Sequence, residues 1–323
     1  MENIRIEIKD ITDLDSLSRE YDISKEELIA FHNQHCALHE IIPGNLPKYL
    51  KYIYIPAEKK SKWKEKSLLI SQITLPDTLE ESTYGILITT LLPETKIQYL
   101  VDIQRKRELI VSVVRRKMYI NDQEIELMVE KLMETASEAL YPLQISLKKD
   151  GRTEEILNGN EIRKRWKEEY YPKIQEYYVG EAADEIIEKL NRFYEKMSGS
   201  TEALHYNLFY ATYFIPLYTS YPDYQKEEIL SFYFPSLGKS ISYTAVFSLQ
   251  KMLTDHDQIL IHVKGEQVNS PITTDLKKGT LDLLYQLDRE TKSISSIVGR
   301  LSSFHQNNEI DIVIEIYRQE SYI

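Results

Sequence analysis

Asp13-Leu14-Asp15-Ser16-Leu17-Ser18-Arg19-Glu20-Tyr21-Asp22-Ile23-Ser24-Lys25-Glu26-Glu27-Leu28-Ile29-Ala30-Phe31 carries two helix starts in quick succession. Leu14, Leu17 and Tyr21 fall at helical spacing behind Asp13, a residue type that caps helix N-termini by accepting a backbone N–H. Ser24 and Glu27 then form a capping-box pattern ahead of Leu28 and Phe31. Working outward, Ile4, Ile6 and Ile8 alternate with charged residues, the period-2 signature of a half-buried strand. On the other side Pro43-Gly44 marks a loop, and Tyr52-Ile53-Tyr54-Ile55-Pro56 reads as a strand stopped by proline. Residues 1–56 are therefore predicted to fold as strand-helix-helix-strand, with Leu14, Leu17, Leu28 and Phe31 buried between the helices and a two-stranded sheet.

This segment resembles the LysM domains. The residues that carry the resemblance are Leu14-Asp15-Ser16-Leu17-Ser18, Tyr21-Asp22-Ile23-Ser24-Lys25-Glu26-Glu27-Leu28, Phe31-His32-Asn33, Pro43-Gly44 and Tyr54-Ile55-Pro56. The resemblance implies binding of N-acetylglucosamine-containing glycan, peptidoglycan or a chitin-like polymer. The implied groove has Thr12, Asp13 and Leu14 on one side and Ile41, Ile42 and Pro43 on the other. Two departures stand out. Ile11-Thr12-Asp13-Leu14 replaces the family's Gly-Asp-Thr-Leu, and the stretch from Gln34 to Lys51 is longer than the family's connection. Leu46, Tyr49 and Leu50 in that insert are apolar and are expected to pack beside the groove.

Beyond the module, Glu58 to Lys66 holds five lysines around Trp63 and reads as a solvated linker, taken as 57–83. Residues 84–323 then divide by pattern. Strand-like runs cover Ile86–Leu92, Ile97–Ile103, Leu109–Val114 and Tyr141–Leu147, with an Asp150-Gly151 turn. Between them lies a helix with Ile125, Met128, Val129, Leu132, Met133 and Ala136 on one face. The centre is helical, opened by Ile162, Trp166 and Tyr170 and continued by Ala183, Ile186, Ile187, Leu190, Phe193, Tyr194 and Met197 at intervals of three and four. A third helical segment runs from Leu204 to Tyr213. Alternation returns at Leu281–Leu287 and Ile310–Ile316. Strands, helices, then strands predicts an α+β class: antiparallel strands flanking a central helical block, divisible into two subdomains near 150–220. Trp166 and Phe193 are both expected in its core.

Composition narrows the function classes. The 323 residues carry a formal net charge of -11, and such a surface repels phosphate backbones and anionic lipid, so no nucleic-acid partner is expected. Cys36 is the single cysteine, which rules out an intramolecular disulfide. The charged start Met1-Glu2-Asn3-Ile4-Arg5 lacks the apolar core of a signal peptide. No apolar run approaches the roughly 20 residues that span a bilayer. The expected chain is soluble and cytoplasmic as written, unless a signal-independent machine exports it or a leader has been removed.

The strings that suggest chemistry read better as structure. Leu237-Gly238-Lys239-Ser240 resembles the end of a phosphate-binding loop, but Tyr233 stands where the motif needs glycine and Ile241–Phe247 reads as a strand. A hairpin turn is the better reading. His32, His35, Cys36 and His39 are dense in metal-ligand types, yet their spacing fits no standard zinc pattern. Asp255-His256-Asp257 looks like a loop, and Glu126, Glu130 and Glu134 like a solvated helix face. The cluster Tyr206, Tyr210, Tyr213, Tyr218, Tyr221 and Tyr224 suits helix-on-sheet packing or a ligand cleft. No catalytic residue, metal or cofactor is assigned. The expectation is a non-catalytic binding or scaffold protein of bacterial type. The alternative is a structural or adaptor protein of a contractile injection system or phage-type tail, using the module for protein assembly.

Overall fold

The structure is a computed structural model that describes residues 3–8, 13–36, 40–44, 46, 47, 50–57, 68, 70–76, 81–91, 94–107, 109–197, 199–254, 257–268, 277–306 and 308–319. The chain divides into two compact units, Met1–Leu69 with Lys251–Thr254, and Ile70–Gln250 with Asp255–Ile323.

In the first unit, strand β1 (Asn3–Glu7) pairs antiparallel with β2 (Tyr52–Pro56), placing Ile4 opposite Ile55 and Ile6 opposite Ile53. Helices α1 (Leu14–Glu20) and α2 (Lys25–His35) lie between them in sequence. The full capping box sits at the first helix: Ser16 N donates to Asp13 Oδ1 at 2.6 Å, and Asp13 N donates back to Ser16 Oγ at 3.1 Å. Ser24 caps the second by accepting from Glu27 N at 3.2 Å. Leu14, Leu17, Leu28 and Phe31 are all buried, and the first three share one cluster with Ile42, Leu50, Ile53 and Ile55. Each such side chain contributes roughly 1.5–3 kcal/mol on leaving water, which is how so short a stretch holds its shape.

The second unit is built on one 12-stranded sheet. Its strands are β3 (Ser82–Leu91), β4 (Glu94–Arg107), β5 (Ile110–Ile120), the short β6 (Gln123–Glu124), β7 (Leu143–Leu147) and β8 (Thr153–Ile156). They continue as β9 (Gln225–Phe234), β10 (Lys239–Leu249), β11 (Gln258–Gln267), β12 (Thr280–Asp288), β13 (Ile294–His305) and β14 (Asn308–Arg318). The spatial order is 8-7-5-4-3-14-13-12-11-10-9, with β6 on β5, and every pairing is antiparallel.

The α+β expectation is therefore corrected: this unit is β-rich. The two strand-rich flanks are not separate layers around a helical block. They fuse where β14 pairs with β3, with Ile312 opposite Thr90, Ile314 opposite Ile88 and Ile316 opposite Ile86. Apart from Met128–Glu138, which lies between β6 and β7, the helices of this unit are an excursion between the two edge strands. Local periodicity signals a strand without naming its neighbour, so this seam was invisible to pattern reading.

The sheet is strongly curved. Tyr243 on β10 donates its hydroxyl to Ser302 O on β13 at 2.7 Å, across two intervening strands. Edge strands β8 and β9 both line one cleft, through Thr153 and Glu154 on one side and Glu228 to Ser231 on the other. A short helix, Leu208–Tyr213, lies inside the curve with Phe209, Tyr210, Thr212 and Tyr213 buried. Tyr285 on β12 donates to Thr212 O at 2.9 Å, and Tyr84 on β3 meets the Tyr213 ring edge-on at 5.2 Å.

The remaining helices pack on one another. Trp166 is buried, stacks on Tyr194 at 4.3 Å and donates its indole N–H to Asn191 Oδ1 at 3.0 Å. Phe193 is not a core residue: it is 42% exposed on helix Glu181–Glu195, which buries only Ile187 and Tyr194. Those two are seven residues apart and form a narrow line, whereas Phe193 points well off it and meets the Tyr194 ring edge-on at 5.1 Å.

Candidate functional site

The LysM resemblance points to the loops ahead of the first helix and after the second. Thr12 lies outside the described residues. Asp13 is exposed, but its carboxylate is engaged by the Ser16 hydroxyl and amide, and those bonds hold it below the usual carboxylate range. Leu14 and Ile42 turn inward into the module's core, so neither side chain faces solvent. Ile41 is 38% exposed, and Pro43 and Gly44 are exposed beside it. Of the six residues, Asp13, Ile41 and Pro43 are thus exposed to solvent, while Leu14 and Ile42 anchor their loops from below.

Sequence reasoning missed what fixes the second loop. Asn33 Nδ2 donates to Ile42 O at 2.9 Å, and Asn33 Oδ1 accepts from Ile42 N at 2.8 Å. One side-chain amide thereby satisfies both backbone groups of one loop residue, much as a neighbouring strand would. His32 does comparable work and is fully buried. Tyr54 N donates to its Nδ1 at 3.1 Å, so Nδ1 carries no proton. Nε2 is then the protonated nitrogen and donates to Glu40 O at 2.9 Å. The ring ties α2 to β2 and to the loop that carries Ile41. Phe31-His32-Asn33 was the only hint of this in the sequence. The insert also packs: Leu50 is buried and Leu46 rests against the core, while Tyr49 lies outside the described residues.

The other sequence candidates resolve individually. Both nitrogens of His32 serve backbone partners, and His35 Nδ1 donates to Phe31 O at 2.8 Å. Cys36 is half-buried with its Sγ 3.9 Å from Asn33 O, and burial pushes its thiol up, away from the reactive thiolate. His39 lies outside the described residues, among which no group of three potential metal ligands comes together.

In the second unit, Gly238 sits in a left-handed turn (φ 59°) between β9 and β10, and Lys239 and Ser240 begin β10 as a hairpin requires. Asp255 and His256 lie outside the described residues; Asp257 pairs with Arg289 at 3.7 Å. Glu126 precedes the helix Met128–Glu138, and Glu134 accepts from Met118 N at 3.1 Å, so the three glutamates form no common face. The tyrosine cluster is mostly core. Tyr210, Tyr213 and Tyr221 are buried, Tyr221 donates to Leu217 O at 2.6 Å, and Tyr206 alone of the cluster is strongly exposed, at 57%. No helix among the described residues is long and apolar enough to cross a membrane.

No protein-family model matches the chain, and no curated protein matches it. Among solved structures, a similar chain is found in one described by its lipid-protein interactions in lipovitellin, at 8% identity and a TM-score of 0.38. The alignment covers 78% of this chain and 25% of that one, so the chain spans about a quarter of that protein's length.

Proposed function

We propose that this chain is a non-catalytic binding protein whose N-terminal module contacts N-acetylglucosamine-containing glycan through the loops at Asp13 and at Ile41–Gly44. The observation that carries the reading is the hydrogen bonding that holds the described residues of those loops. The Asp13–Ser16 box fixes one, and Asn33 and His32 fix the other. A loop ordered before binding loses little conformational entropy on contact, which matters where a short groove touches few sugar units. Exposed Ile41 and Pro43 offer apolar surface for an acetyl methyl beside polar backbone. Titration of the protein with chitin oligomers, followed by amide NMR shifts, tests this. Saturable shifts confined to residues 11–14 and 41–44 are expected; no shifts at about 10 mM ligand, a concentration that detects binding of only about 3 kcal/mol, remove the glycan reading.

A second reading keeps the module as an assembly element of a contractile injection system or phage-type tail. The packed insert favours it: with Leu46 and Leu50 drawn onto the core, Ile41 and Pro43 are left as a small apolar tip suited to a protein partner. Co-purification from native cells, against binding to insoluble peptidoglycan, separates the two.

A further inference from the structure

Along β3 the inward-facing positions change character. Tyr84 and Ile86 are fully buried, whereas Ile88 and Thr90, on the same face, are only half-buried. The helix Leu208–Tyr213 fills the curved sheet beside Tyr84 and stops short of the strand's far end, where Leu208 begins it. There a cavity of about 200 Å³ remains, walled by Ile88, Ile97, Met118, Leu208 and Ile312. Among its described lining residues Arg115 is the single charged side chain, and the Glu138 carboxylate acts on it from outside that lining. Arg115 donates to Ser137 Oγ and lies over the Tyr141 ring at 5.7 Å, which holds the guanidinium in place while using one of its five N–H donors.

We propose that this open end of the sheet binds a small apolar carboxylate, its hydrocarbon chain against the aliphatic wall and its headgroup on Arg115. Charge complementarity selects the anion: a half-exposed guanidinium facing an apolar cavity attracts a planar carboxylate, which matches its paired donors. Size selects the chain length. A dry cavity of about 150 Å³ accommodates benzene, so the volume here suits about eight or nine heavy atoms, the size of hexanoate or heptanoate. A longer chain would protrude past Tyr206, whose ring meets Tyr233 edge-on at 5.1 Å at the rim. The site is distinct from the glycan reading and does not rest on it.

Calorimetric titration of the full chain with heptanoate, 1-heptanol and acetate tests the proposal. Heptanoate is expected to bind with a Kd of about a millimolar or tighter, and acetate not to bind measurably. Arg115→Gln should weaken heptanoate at least about tenfold and leave 1-heptanol within about twofold. Ile88→Trp, which fills the cavity and keeps Arg115 in the chain, should abolish binding of both probes while the circular dichroism spectrum is retained. Should Arg115→Gln fail to fold, the Ile88→Trp variant and the preference of heptanoate over heptanol carry the test. Equal affinity for the acid and the alcohol, unchanged binding in Ile88→Trp, or no saturable heptanoate binding at about 10 mM overturns the proposal.

Discussion

His32 carries no charge in this fold and yet cannot be replaced by a hydrocarbon of its size. Its two ring nitrogens terminate backbone groups on either side, Tyr54 N–H and Glu40 C=O, in a buried setting. His32→Leu preserves bulk and removes the hydrogen bond that His32 gives each group. A loss of about 1–3 kcal/mol per unsatisfied group is expected, read as a lower denaturant midpoint for the module. A midpoint equal to wild type would remove the bridging role. Gly299 marks the opposite constraint, absence of a side chain. A Cβ there would lie 2.2 Å from Asp282 O and 2.8 Å from Leu283 Cα, so β12 and β13 touch backbone to backbone. Gly299→Ala should destabilise by about 1–3 kcal/mol through forced backbone movement, measured as a fall in Tm. Neither constraint was legible in the sequence. A histidine in a helix and a glycine in a strand look alike whether structural or incidental, because burial and close approach are set by distant segments.

At the scale of elements, pattern reading succeeded where one face alone decides the outcome. Capping residues and spacing placed both module helices, and alternation placed β12 and β14. It stops short where an element is buried on more than one side. The helical segment expected from Leu204 to Tyr213 is present, but its last turn and a half, Leu208–Tyr213, is threaded inside a curved sheet, a setting no amphipathic stripe announces. Its tether is the Tyr285 hydroxyl on Thr212 O. Tyr285→Phe should cost about 1 kcal/mol, the usual worth of such a bond, and speed amide exchange in residues 208–213 more than in β12. Uniform change across both elements would contradict a local tether. The helical layer outside rests on Trp166. Truncation to alanine opens a void under Tyr194 and is expected to cost about 3–5 kcal/mol by chemical denaturation.

Across the whole molecule the unusual material is phenolic, with 24 tyrosines in 323 residues. Tyr210, Tyr213 and Tyr285 are buried, and burial raises each well above the ordinary tyrosine range. The unfolded chain releases those protons near pH 10 while the folded chain keeps them, so stability is intact below about pH 10 and declines as pH climbs further. Urea midpoints followed by circular dichroism should be flat from about pH 8 to 10 and then fall; a flat profile through about pH 11 would contradict the buried-phenol core. The seam between β3 and β14 carries a consequence for biogenesis. When the ribosome has released the first meander, β3 already has β4 on one side, and its other edge must wait for a partner more than two hundred residues downstream. Such distant pairing is slow, and a bare strand edge in the interval is an invitation to intermolecular pairing. Synthesis that stalls before Asn308 therefore yields a chain rich in correctly formed hairpins but with its central strand open, a product suited to chaperone capture rather than to accumulation.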